Sequence, residues 1–124
     1  MSEDKQMKML TKEEIQKAKD LPVRDVEVPE WGGIVRMQTL SGAERDSFAD
    51  TVQQRKKGEV IELKGLKVFL LSLAIVGENG ERLFSEADLD ELNAKSVKVL
   101  ETLFEIATEM NGIGEEEEEE LRKN

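Results

Sequence analysis

The sequence predicts an α+β fold that is mainly helical, with a small β-hairpin followed by about three to four packed helices. The first observation is a pair of apolar, β-branched runs, residues 23–28 and 34–40, around a Pro-Glu-Trp-Gly-Gly connection, which is typical of a hairpin. The second is Ser41 with Glu44 three positions later, a capping box that predicts a helix start directly after the hairpin.

A short helix is expected before the hairpin, from Lys12 to about Lys19. Thr11 and Glu14 have the spacing of another capping box, in which each side chain bonds the other residue's backbone N–H. The helix must end before Pro22, because the residue preceding a proline avoids the helical region.

The helix that follows Ser41 places Phe48, Ala49 and Val52 on one face and ends in the basic residues 55–57 before Gly58. Positive charge suits the negative end of the helix dipole, and glycine commonly follows a helix end. An anion site at these basic residues is the alternative interpretation.

Residues 60–63 are expected to be short and extended or loop-like, and residues 66–76 to form the central helix. The second segment is apolar on nearly every side, so it is buried in the core or presents one face to a partner. Its length and leucine content favour a helix, although a buried strand also fits the pattern. Self-association would hide any apolar surface that the domain leaves uncovered.

A tight turn is predicted at Asn79-Gly80, followed by a short strand or extended arm at residues 82–84. Ser85 with Asp88 predicts the capped start of a brief helix that runs to about Leu92.

The last helix is expected to begin after Ser96 and to stop at Asn111-Gly112. Apolar residues recur in it at three and four positions, which predicts one buried face. That stripe consists of Val97, Leu100, Leu103, Phe104, Ala107 and Met110.

The chain of 124 residues favours a single mostly helical domain at residues 11–114. Residues 1–10 are expected to be a flexible N-terminus. Residues 115–124 begin with six consecutive glutamates, whose mutual repulsion predicts a disordered acidic tail.

The composition argues against most chemistry. Histidine, cysteine and tyrosine are all absent, which removes the usual general base, the thiol nucleophile and the commonest metal ligand. We therefore expect no enzyme, no catalytic residue, no cofactor and no metal site. The formal net charge of −10 makes nucleic acid and anionic membranes poor partners, and the longest apolar run is too short to span a bilayer.

Several large apolar residues are candidate structural anchors or partner contacts, since aromatic side chains dominate both cores and interfaces. Trp31 either covers one end of the core or serves as an exposed anchor. The full set of candidates is Trp31, Phe48, Phe69, Phe84, Leu100 and Phe104.

Taken together, three motifs in this order make the chain resemble the tail assembly chaperones of long-tailed, siphovirus-type bacteriophages and prophages. They are PEWGGIVRMQTLSGAERDSF at residues 29–48, IVGENGERLFSEADLDEL at residues 75–92 and EMNGIGEEE at residues 109–117. The resemblance covers roughly residues 11–117.

The resemblance implies a non-enzymatic protein that binds the tape measure protein, keeps it soluble and promotes assembly of tail tube subunits around it. In many such proteins, programmed ribosomal frameshifting makes a longer product whose extension recruits the tail tube protein, and this chain resembles the shorter product. A location in the host bacterial cytoplasm, absence from the mature virion and a possible homo-oligomer are also implied. The resemblance carries over no client-binding residue.

A small acidic inhibitor that mimics DNA is the alternative function. The net charge and the Glu115–Glu120 run favour it, whereas the segregation of that run from the rest of the chain argues against a DNA-like surface.

Overall fold

The computed structural model describes residues 7–57, 60–61 and 65–113. Within these ranges the chain forms five α-helices and five short strands, which confirms the predicted α+β class. The helices are α1 (Lys12–Lys17), α2 (Gly42–Gln54), α3 (Leu66–Ala74), α4 (Leu89–Asn93) and α5 (Val97–Met110). The strands are β1 (Val23–Val28), β2 (Gly33–Gln38), β3 (Lys56–Lys57), β4 (Val60–Ile61) and β5 (Ile75–Val76).

The predicted hairpin is present as the antiparallel pair β1–β2, in register from Val23 opposite Gln38 to Val28 opposite Gly33. A single 3-10 turn at Pro29–Trp31 connects the strands. It ends at Gly32, whose φ of +77° lies in the left-handed region that glycine adopts without a Cβ clash.

A third strand completes this sheet, in the order β1-β2-β5. Here the prediction of one helix over residues 66–76 was wrong at its end, because α3 stops at Ala74. Ile75 and Val76 instead pair with Met37 and Arg36 of β2. Both residues are β-branched, and pairing with a distant strand outweighs one further turn of helix.

The second helix differs from its prediction in two places. Ala49 was expected on the apolar face with Phe48 but is exposed, because adjacent helix positions point in different directions. The basic end is the second difference. Arg55 caps α2, and Lys56 and Lys57 pair with Ile61 and Val60 in a two-stranded ribbon. The extended character expected for residues 60–63 is therefore confirmed for the two of them that lie in β4.

The capping boxes predicted at Thr11 and Ser41 are both present. In the first box, the Thr11 N–H donates to Glu14 Oε1 at 2.9 Å and the Glu14 N–H donates to Thr11 Oγ1 at 3.2 Å. Ser41 and Glu44 repeat this pattern with the same two distances. The first helix is shorter than expected, ending at Lys17, and none of its residues is buried.

Helix α3 is the centre of the core. Seven of its nine residues are buried, and only Lys67 and Phe69 are partly exposed. It packs against α2, α4 and α5, with the sheet completing the core through Val28 and Met37. The central helix is therefore structural along almost its whole surface.

The predicted apolar stripe of the last helix is correct except at its start. Leu100, Leu103 and Ala107 are buried, but Val97 is 68% exposed and Val99 takes its place in the core. Position 97 has the spacing of the stripe, but it is the first residue of α5, and the helix is exposed at residues 97 and 98. Asn111 caps the helix and Gly112 follows with φ +63°, which confirms the predicted stop.

The turn at Asn79-Gly80 is confirmed: Gly80 has φ +84°, and its N–H donates to the Gly77 carbonyl at 3.0 Å. The chain then returns beside β5 through a bridge between Val76 and Arg82. Ser85 begins the next segment as expected, with its N–H donating to Asp88 Oδ2 at 2.9 Å.

The predicted acidic tail at residues 115–124 lies outside the described residues, as do residues 1–6 of the predicted flexible N-terminus. None of the helices in the described ranges combines the length and apolar character needed to span a bilayer.

Candidate functional site

Three of the predicted anchors lie in or on the core, and their side chains have fixed neighbours. Phe48 is buried and stacks on Phe69, with ring centroids 6.2 Å apart and planes 17° apart. Leu100 is buried between helices. These residues hold α2, α3 and α5 together, and of the three only Phe69 also reaches the surface.

Phe104 lies on the exposed side of the α3–α5 contact. The Lys67 ammonium lies over its ring, 5.4 Å from the centroid, and also pairs with Glu101 at 2.7 Å. The ring is therefore covered by a cation–π contact.

Trp31 and Phe84 come together at a concavity on the sheet, which we call the edge groove. Its volume is about 510 Å³, and most of the side chains that line it are apolar. The apolar lining consists of Trp31, Ile34, Val35, Ile75, Val76, Leu83 and Phe84.

The edge groove exists because β5 is much shorter than β2. β5 pairs only with Arg36 and Met37, and the chain turns away after Val76. Among the described residues, no strand lies beside residues 33–35 on the side away from β1. The groove therefore exposes a stretch of sheet edge with apolar side chains on both of its faces.

Adjacent residues of a strand point to opposite faces, so Ile34 and Val35 cannot both face the core. Val35 lies opposite Val26 on the core face and is half-buried. Ile34 lies opposite Glu27 on the other face and is 65% exposed. Two consecutive apolar residues were the sequence signal for this exposed position, and the sequence reasoning missed it.

The charges around the edge groove are mostly acidic. Asp25 and Glu78 line it, and Arg36 is already engaged, since its Nε and Nη2 donate to Asp25 at 2.7 and 3.0 Å. This bidentate pair holds the pKa of the Asp25 carboxyl below its usual range and raises the pKa of Arg36. Glu27 adds an exposed carboxylate beside Ile34.

A second concavity of about 450 Å³, which we call the helix pocket, lies on the opposite side of Leu83 and Phe84. Arg82 fixes the separating segment by donating to the carbonyl oxygens of Ser72 and Phe84, both at 3.3 Å. The remaining lining comes from α2, α3 and the start of the following segment: Ser47, Thr51, Phe69, Leu73, Ser85, Glu86 and Asp88.

The described residues offer binding surfaces more readily than chemistry. No group of three or more potential metal ligands within these ranges is placed to hold a metal ion. Arg36 lowers the pKa of Asp25, and Lys8 lowers the pKa of Glu14, whereas a general acid needs the opposite shift. The edge groove and the helix pocket, which carry aromatic side chains in their linings, are the candidate functional surfaces.

Comparisons with known proteins identify the family and the fold of the chain. The sequence model of a family described as "Phage tail assembly chaperone" matches residues 15–124. Among solved structures, the chain is similar to the tail assembly chaperone of bacteriophage HK97, with a TM-score of 0.56 and 20% sequence identity. That match covers 79% of this chain and 90% of the HK97 chain, and shows a shared fold. No curated protein matches the chain.

The family match extends over the hairpin, all of the core helices and both concavities. The chain belongs to the phage tail assembly chaperone family.

Proposed function

We propose that this chain binds the tape measure protein during tail building, keeps it soluble and promotes assembly of the tail tube around it, without catalysis. It acts in the host cytoplasm as the shorter product of a frameshifted pair, and the longer product recruits the tail tube protein. The mature virion does not retain it. Family membership supports the chaperone role, and the helix pocket is the observation that supports a client surface.

The helix pocket has the form that an amphipathic helix needs. Phe69 and Leu73 of α3 form an apolar floor, and Phe84 forms one wall. The Phe69 ring stacks on the buried Phe48 ring, so its position is set by the core of the free protein. A floor that is already formed lowers the entropy cost of binding a client. Helical clients bind such surfaces through apolar residues at positions i, i+3 and i+4.

The rim of the helix pocket adds selectivity. Glu86 and Asp88 line the pocket against one cation, Arg82, whose guanidinium donates to two carbonyl oxygens, and the net charge of the chain is −10. Acidic groups at the edge of an interface attract partners with basic residues and repel acidic ones, mainly through the association rate. We therefore expect a client helix with an apolar face flanked by lysine or arginine.

Ser47→Arg tests this assignment, because Ser47 is an exposed α2 residue that lines the helix pocket. Arginine is a good helix former, so the change fills the pocket while leaving α2 intact. Ala49→Arg is the matched control: it is exposed on the same helix, adds the same charge and is not among the lining residues.

Each variant is co-expressed with the tape measure protein of the same genome, and the soluble client is quantified. We expect the natural chain and Ala49→Arg to keep the client soluble and to copurify with it, and Ser47→Arg to lose both. A natural chain that neither solubilises nor copurifies contradicts the function. Equal behaviour of the two variants contradicts the pocket assignment. A slippery heptanucleotide near the codons of residues 121–124 would support the frameshift.

A further inference from the structure

The segment that precedes α1 carries exposed apolar side chains. Met7 is 93% exposed, Met9 is 91% exposed and Leu10 is 55% exposed. Residues 7–10 have no regular secondary structure, and α1 behind them buries none of its residues. We call residues 7–10 the arm. Three neighbouring apolar side chains in water are a site that favours contact with another apolar surface.

The arm is also basic, whereas the chain as a whole is acidic. Lys8 lies within it and Lys12 follows it closely, with no acidic residue between Met7 and Lys12. Lys8 contacts Glu14 in an exposed ion pair. Solvent weakens such a pair, so exchanging Glu14 for another carboxylate costs Lys8 little free energy. The arm therefore combines apolar character with positive charge.

The edge groove has the complementary properties. The groove is apolar, and the carboxylates around it are Asp25, Glu27 and Glu78. Arg36 is the one cation in its lining, and it is bound to Asp25. The groove also exposes the edge of β2 at residues 33–35. Proteins usually protect such an edge with charges or cover it, because it is a template for another strand. On β1, the outer strand of the sheet, Arg24, Asp25 and Glu27 supply such charges, whereas Ile34 and Val35 carry none.

The alternation of the arm matches the two sides of the edge groove. In an extended segment, Met7 and Met9 point to one side, and Lys8 and Leu10 point to the other. The core side of the groove offers Trp31, Val35 and Phe84, which suits two flexible methionines. The opposite side offers Ile34 to Leu10, with the carboxylates nearby for Lys8.

We propose that the arm of one copy binds in the edge groove of a second copy as an added strand. Backbone hydrogen bonds to residues 33–35 would supply affinity, and the alternating side chains would supply register. The occupant is a second copy because the arm complements the groove in apolar character and charge, yet none of its residues lines the groove of its own chain, and Met7 and Met9 stay 93% and 91% exposed. The inference goes beyond the proposed function and does not depend on it.

The absence of cysteine from the chain permits a direct test. Leu10→Cys and Ile34→Cys are made in separate full-length chains, mixed, and equilibrated in a glutathione redox buffer. We expect a disulfide-linked heterodimer, since cross-strand neighbours on one face bring their Cβ atoms to about 4.5–5.5 Å. Met9→Cys should link to Ile34→Cys several-fold less, because residue 9 faces the other side.

Val97→Cys is the background control for Ile34→Cys, because its side chain is similarly exposed at 68% and does not line the groove. Equal linking of Leu10→Cys to positions 34 and 97 overturns the proposal. Preferential linking of Met9→Cys to position 34 overturns the side-chain register. A Leu10→Cys/Ile34→Cys double variant that links only within one chain, at any protein concentration, also overturns it.

The second measurement is the molar mass by light scattering across a concentration series. The natural chain should self-associate, and the Met7→Asp/Met9→Asp variant should remain a monomer with an unchanged circular dichroism spectrum. A monomeric natural chain, or a variant that associates equally, contradicts the proposal. Neither experiment contains a client, so their failure leaves the proposed function unaffected, and a failure of client solubilisation leaves this inference unaffected.

Discussion

Asn111 is expected to stabilise the fold through two side-chain hydrogen bonds, one that joins the end of α5 to the hairpin–α2 junction and one within α5. Its Oδ1 accepts from the Leu40 N–H at 2.7 Å, and its Nδ2 donates to the Ala107 carbonyl at 2.8 Å. Leu40 is itself buried, with 8% of its surface exposed. Asn111→Ala removes both bonds and leaves a shielded backbone N–H without this partner.

The magnitude follows from the two bonds. A neutral intramolecular hydrogen bond contributes about 0.5–1.5 kcal/mol net, and an unsatisfied buried donor costs about 1–3 kcal/mol. We expect Asn111→Ala to lower the free energy of unfolding by about 2–3 kcal/mol. Backbone strain changes little, because Asn111 has φ −98° and ψ 7°; this is the bridge region at negative φ, which alanine can also occupy.

The assay is guanidinium denaturation followed by the fluorescence of Trp31, the only tryptophan. Asn111→Gly is the informative companion variant, since glycine preserves a helix stop but not the bonds, and it should be at least as destabilised as Asn111→Ala. Asn93→Ala, at the exposed end of α4, should change stability by less than about 0.5 kcal/mol. If Asn111→Gly unfolds like the natural chain, Asn111 only ends the helix and the reasoning fails.

Two further predictions concern the sheet and the last helix. Because Arg36 places the pKa of Asp25 below that of the unfolded chain, the pair stabilises the fold above the unfolded-state pKa, and this contribution is lost as pH falls through the folded-state value. Arg36→Met should therefore raise the Asp25 pKa in an NMR titration, and its stability deficit should shrink in acid; an unshifted pKa would contradict this. Leu103→Ala should cost about 2–5 kcal/mol in denaturant, since Leu103 is fully buried, whereas Val97→Ala should cost less than about 0.5 kcal/mol. Similar losses of unfolding free energy in both variants would contradict the exposed position of Val97 and favour the stripe predicted from the sequence.

The features that could be predicted from the sequence are those whose signal and result lie within a few residues of each other. The Thr11 and Ser41 boxes each join residues three apart, so the helix starts could be predicted without knowing the rest of the fold. The turn at Gly80 and the helix stop at Asn111 are local in the same sense. The α+β class and the family resemblance rest on such local signals taken in order.

The features that could not be predicted from the sequence are those in which a distant part of the chain decides between two local possibilities. Ile75 continues an apolar helical run, yet β2 lies alongside it and captures it as a strand. Val97 has the spacing of the buried stripe but is the exposed first residue of α5. The same holds for the Asn111–Leu40 bond, which joins residues 71 positions apart.

The sequence by itself determined the capped helices, the hairpin, the family and a composition poor in catalytic groups, because these depend on residue type and short spacing. Only the tertiary structure decided which anchors reach the surface. It brought Trp31 and Phe84 together across the edge groove, although 53 positions separate them by their numbers. That groove exists because β5 ends after two residues, and strand length in a sheet is fixed by the partner strand and the core beneath it.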